Sequence, residues 1–211
     1  MRGSGRFLSG IYKRLLALCA AIGLIWQLGL FSGAPRWGAL RYYTVLVDLL
    51  CFVYFTVDEY AVLLRGKNWW SLIKGGLTMA AVASGLVAYF VLGQSPLALL
   101  RTGAVASLLL HYAVPLMTVL DWLLFDRKGS FRPTDPLVWA VFPNVYFLYA
   151  TVRGFLLSPA FGGSRFPYAF MDYDALGVGR VLLHWLVFDL AFLCLGYLFW
   201  LIDWFAGGKR K

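Results

Sequence analysis

Thr44 and His111 are the residues of this chain whose types could form and break an ester bond. A threonine hydroxyl is a weak nucleophile until a neighbouring base takes its proton, and a neutral imidazole is the commonest base for that task. Both lie inside long apolar stretches, where ionisable or reactive side chains are costly and are functional suspects by default. Thr44 starts a stripe that continues through Asp48, Cys51, Phe55 and Asp58/Glu59 at helical spacing, so its polar members share one inward face. His111 is followed one turn later by Pro115, then by Thr118 and Asp121. A third stretch offers Tyr146, Tyr149 and Arg153 on one face, with Pro143-Asn144 as the expected kink. A fourth opens with Arg180 and His184 and carries Asp189.

Each of these residues also has a plain packing role. A threonine in a membrane helix commonly bonds its own preceding turn, a membrane histidine commonly bonds a neighbouring helix, and a row of tyrosines packs or marks the interface. Asp48 is the hardest to explain that way, because an unpaired acid at that depth is expensive.

The elements that must position these groups follow from composition. Of 211 residues, 61% are hydrophobic and only 14% charged, and the mean hydropathy is +0.74. A water-facing globule carries about a quarter charged residues, so this chain lacks the polar surface of a soluble domain. Aromatic residues make up 18%, including nine Trp, as expected where helix ends sit in interfacial belts. Six apolar stretches approach the roughly 20 residues a spanning helix needs: 15–31, 42–64, 71–93, 103–125, 136–157 and 181–204. The expected fold is all-α, a single six-helix transmembrane bundle over residues 1–211. The basic start of the chain resembles a signal peptide, but the first stretch is long enough to span and is expected to be retained.

Basic residues orient the bundle. Arg2, Arg6, Lys13, Arg14, Arg65, Lys67, Lys74, Arg127, Lys128, Arg132, Lys209, Arg210 and Lys211 fall on one side; Arg36, Arg41, Arg101, Arg153, Arg165 and Arg180 fall on the other. That 13-to-6 bias puts both termini in the cytoplasm of a multi-pass protein of the cell or inner membrane. Thr44, Asp48, His111, His184 and Asp189 then share the outer half, where a polar chamber is expected beneath the long loop after residue 158. Asp58, Glu59, Asp121 and Asp203 fall in the cytoplasmic half near basic residues, as solvated or salt-bridged acids. The net charge of +9 is read as lipid-facing topology rather than nucleic-acid binding. Three scattered cysteines and two histidines argue against a disulfide framework, a metal site or a cofactor.

The segments RYYTVLVDLL, LLLHYAVPLMTVLDWLLFD, DPLVWAVFPNVYFLYATVRG and FPYAFMDYDALG resemble the androgen-induced and androgen-dependent TFPI-regulating membrane protein family, in particular its bacterial members. The resemblance runs from the second stretch to the sixth. It implies a six-span hydrolase that uses an intramembrane Thr and His on fatty-acid esters of hydroxy fatty acids, with Thr44 of YYT as nucleophile and His111 of HYAVP as base. Asp48, Arg153, His184, Tyr146 and Tyr149 are candidate substrate-binding residues, Arg153 or Arg41 being placed to hold a free carboxylate. The expected partner is a membrane lipid or lipid ester, and the oligomeric state is open. The alternatives are a small-solute or proton-coupled transporter, with Asp48, Asp58, Glu59 and His111 as relay, and a non-catalytic lipid-binding scaffold.

Overall fold

The computed structural model describes residues 2–60, 68–157 and 164–208. Arg65, Lys67, Lys209, Arg210, Lys211, the side chains of Arg2 and Glu59, and 61–64 of the second expected span lie outside them. The described residues form helices and no strand. In chain order these are α1 (Arg2–Gln27), α2 (Tyr43–Tyr60), α3 (Asn68–Phe90), α4 (Pro96–Thr102), α5 (Val105–Leu108), a π turn (Leu109–Ala113), α6 (Val114–Phe125), α7 (Asp135–Trp139), α8 (Val141–Leu156) and α9 (Tyr173–Gly207).

Among the described residues, four helical segments are long and apolar enough to cross a membrane: Gly5–Gln27, Trp69–Phe90, Val105–Phe125 and Tyr173–Gly207. Two expected spans are less clear-cut. α2 has 18 residues and includes Asp48, Asp58 and Glu59, and α8 has only 16. The fifth expected span is divided at Ala140, one turn before the expected kink. Pro143 has no N–H to give the Trp139 carbonyl four residues back, so the ladder is interrupted ahead of the proline. The last helix begins earlier than residue 181 but is broken at Gly177, whose φ of 74° only glycine adopts at little cost.

Packing explains why these helices stay together. One cluster joins Leu16, Ala20, Cys51, Phe55, Ala80 and Val114, from α1, α2, α3 and α6. A second is centred on Trp139, fully buried among Phe131, Phe192 and Phe199. Its indole donates to the Leu72 carbonyl at 2.9 Å, and a Cβ at Gly75 would sit 2.5 Å from its ring, so only glycine lets α3 approach this closely. Large apolar side chains such as Phe90, Leu156 and Phe205 lie on the outside, a surface suited to lipid rather than water.

Of the acids expected to be solvated or salt-bridged, Asp58, Asp121 and Asp203 are buried and partnered. Asp58 accepts from Lys13 and from the Trp70 indole, and Lys74 lies 2.5 Å from both Asp121 and Asp126. Asp203 accepts from the Phe131 amide at 3.0 Å, tying the loop after α6 to the end of α9.

Candidate functional site

Thr44 is the second residue of α2, and its backbone is aimed by groups distant in sequence. The Tyr146 hydroxyl donates to the Arg41 carbonyl at 2.9 Å, and the Tyr149 hydroxyl to the Leu40 carbonyl at 3.3 Å. Both tyrosines of α8 therefore grip the short 3₁₀ turn (Trp37–Arg41) that launches α2. The first N–H of α2, on Tyr43, is accepted by the Tyr168 hydroxyl at 3.1 Å. Among the described residues no acceptor takes the N–H groups of Thr44 and Val45. These are the unsatisfied donors of a helix start, beside the hydroxyl and at the positive end of the helix dipole.

His111 comes from the other side. Pro115 supplies no N–H to the His111 carbonyl, and the helix widens into the π turn Leu109–Ala113. Single-turn π bulges of this kind re-aim one side chain and are frequent at functional sites. Here the turn brings His111 Nδ1 to 3.3 Å from Thr44 Oγ1, between residues 67 apart in sequence. That is loose for a hydrogen bond but within the range of substrate-free catalytic pairs. The π turn fits only because α3 has a glycine opposite it: a Cβ at Gly85 would lie 2.5 Å from the His111 carbonyl oxygen. Gly85→Ala is expected to push the π turn away and slow any reaction of the pair by about tenfold to a hundredfold, since displacements near 1 Å carry penalties of that order. Turnover by purified Gly85→Ala protein checks this, and wild-type rates would show that the approach of α3 does not set the geometry.

Thr44 opens into a cavity of about 180 Å³ between α2, α3, α8, α9 and the 168–171 segment. Its wall is mainly apolar, unlike the polar chamber expected from helix arithmetic. Thr44, Ser84, Asp189 and the tyrosines Tyr43, Tyr146 and Tyr168 are its polar members. Burial pushes the Tyr168 phenol up to about 12, so it stays neutral at physiological pH.

The other sequence candidates are distributed unevenly. Tyr146 lines the cavity; Tyr149, Arg153 and His184 are not among its lining residues. His184 Nδ1 lies 3.0 Å from the Phe170 carbonyl, which can only accept, so this nitrogen carries the proton and helps seat the 168–171 segment. Asp48 is fully buried one turn further along α2, with neither carboxyl oxygen bonded among the described residues. Arg41 and Arg36 line a separate hollow with Gln27 and Tyr42. Sequence reading missed Tyr168, Gly85 and Trp185 and took Asn144 only as part of a kink; of the three missed, only Gly85 had a signal, a glycine amid a long apolar helix.

Comparison with models of known protein families, with curated proteins and with solved structures returned no match.

Proposed function

We propose that this chain is an intramembrane lipid-ester hydrolase in which Thr44 is the nucleophile and His111 the base. The observation that carries the reading is the Thr44 Oγ1 to His111 Nδ1 distance of 3.3 Å, with Thr44 lining an apolar cavity and His111 lying behind it, outside the lining residues. With its proton on Nε2, His111 accepts the Thr44 hydroxyl proton at Nδ1 as Oγ1 attacks the ester carbonyl. The N–H groups of Thr44 and Val45 are the donors available to the developing oxyanion. Collapse expels the alcohol, which takes the proton from His111. Water, deprotonated by the same nitrogen, then releases the acid and restores Thr44. An ester already in the bilayer reaches such a site without being extracted into water, and the apolar wall suits an acyl chain.

The reading places the site in the outer half of a six-span bundle with both termini cytoplasmic, α2 and the α7–α8 pair completing the four longer spans. The 13-to-6 distribution of basic residues supports that orientation. A cysteine-free protein carrying Ser164→Cys is expected to react with an impermeant maleimide added from outside; reaction only from the cytoplasmic side would reverse the topology.

A fluorophosphonate probe tests the chemistry. It is expected to label wild-type protein at Thr44 and to leave Thr44→Ala unlabelled. Labelling elsewhere, or none, removes the hydrolase reading. Buried, unbonded Asp48 favours a second reading, a proton-coupled transporter, which predicts no covalent adduct.

A further inference from the structure

The cavity beside Thr44 contains one acidic side chain and no lysine or arginine among its lining residues. That acid, Asp189 of α9, is held in a fixed orientation. Asn144 Nδ2 donates to Asp189 Oδ1 at 2.6 Å and to the Ala140 carbonyl at 2.8 Å. The Trp185 indole donates to Asn144 Oδ1 at 2.9 Å, which fixes the amide: its nitrogen must face Asp189 and its oxygen Trp185. Two side chains, Asn144 of α8 and Trp185 of α9, thus aim one carboxyl group. Cross-linking α8 to α9 needs no more than Oδ1. The second oxygen of Asp189 has no hydrogen-bond partner among the described residues, and Asp189 lines the same cavity as the Thr44 hydroxyl.

An acceptor left over in a mainly apolar cavity recognises a hydrogen-bond donor, because a ligand without one leaves that acceptor desolvated and unpaired. The donor that enters a membrane-depth site at least cost is a neutral hydroxyl, since an ammonium would have to shed its hydration. A free carboxylate, which the family resemblance implies, meets no cation here: Arg153 lines neither hollow, and Arg41 lines the separate one with Arg36.

We infer that Asp189, oriented by Asn144 and Trp185, is a specificity determinant that selects neutral lipid esters bearing a free hydroxyl, of the monoacylglycerol class. The inference rests on the proposed hydrolase reading for turnover, but its binding preference is separate from the chemistry.

Two matched pairs of probes distinguish them, used on the full chain in detergent or proteoliposomes. For turnover the pair is monooleoylglycerol and methyl oleate; for binding it is the uncleavable oleyl glyceryl ether and oleyl methyl ether, followed by native mass spectrometry. Wild-type protein is expected to prefer the hydroxylated member of each pair by about ten- to a hundredfold, the span of one hydrogen bond to a carboxyl group. Asp189→Asn keeps an acceptor for Asn144 but presents an N–H₂ in place of the free oxygen. Since a hydroxyl can also accept from that N–H₂, the variant is expected to lower the preference about five- to tenfold rather than erase it, while leaving methyl oleate turnover within about twofold. Asp189→Leu, with no polar atom to offer, should erase it, and the asparagine variant decides the matter if the leucine variant fails to fold. Equal handling of both members by wild-type protein, or a parallel loss on both in Asp189→Asn, overturns the inference. Hydroxyl-selective binding of the ethers with no turnover of either ester overturns the hydrolase reading and upholds the role of Asp189.

Discussion

Alanine at Thr44 is expected to bring hydrolysis of a long-chain ester to background, and alanine at His111 to slow it by about 10²–10⁴-fold, the usual contribution of a positioned base. The two side chains lie 3.3 Å apart, and the proposed reaction passes one proton between them. They therefore act as one unit, and the double variant should lose little more than Thr44→Ala alone. Thr44→Ser is expected to keep partial activity: the hydroxyl survives, but the methyl that limits its rotamers does not. Thermal unfolding measured alongside separates catalytic from structural loss, since His111 sits in a π turn packed against α3. Wild-type turnover by folded Thr44→Ala protein would reduce Thr44 to a packing residue and bring the transporter and scaffold readings forward.

The second large effect concerns stability. Lys74 is nearly inaccessible, and its Nζ lies 2.5 Å from Asp121, a fully buried acid of α6, and 2.5 Å from Asp126. A buried ion pair adds little over a well-packed apolar pair, because desolvation offsets the attraction, but removing one partner strands the other charge. Lys74→Met is therefore expected to destabilise the bundle by about 3–5 kcal/mol. Lys74→Met with Asp121→Leu should recover most of that loss, since the fully buried acid is then gone and Asp126, whose side chain is partly exposed, can be solvated without Lys74. Reversible unfolding in mixed micelles reads both. If the single variant were as stable as wild type, the α3–α6 contact would rest on apolar packing and not on this cluster.

Much of the architecture was legible in the chain itself. Apolar run lengths marked the helices, and the spacing of Thr44, Asp48, Cys51, Phe55 and Asp58 marked a single face of α2; each of the five is buried. Those are properties of one helix, set by its 3.6-residue period, and a sequence carries that period directly. Charge distribution likewise gave Asp58 and Asp121 nearby basic partners, as the Lys13–Asp58 and Lys74–Asp121 pairs bear out.

What the sequence could not carry is the rotation of one helix against the next. Tyr146 and Tyr149 share a face, as their spacing requires, but that face grips the carbonyls of residues 40 and 41, and only Tyr146 also reaches the cavity. The kink expected at Pro143-Asn144 lies at Ala140, because a proline disturbs the carbonyl one turn behind it. Asp189 gained its orientation from Asn144, 45 residues away, and His111 met Thr44 across 67 residues through a π turn that a glycine on a third helix accommodates. Side-chain type and spacing named the reactive groups; which of them meet depends on ångström-scale packing between helices, and only the folded bundle specifies it.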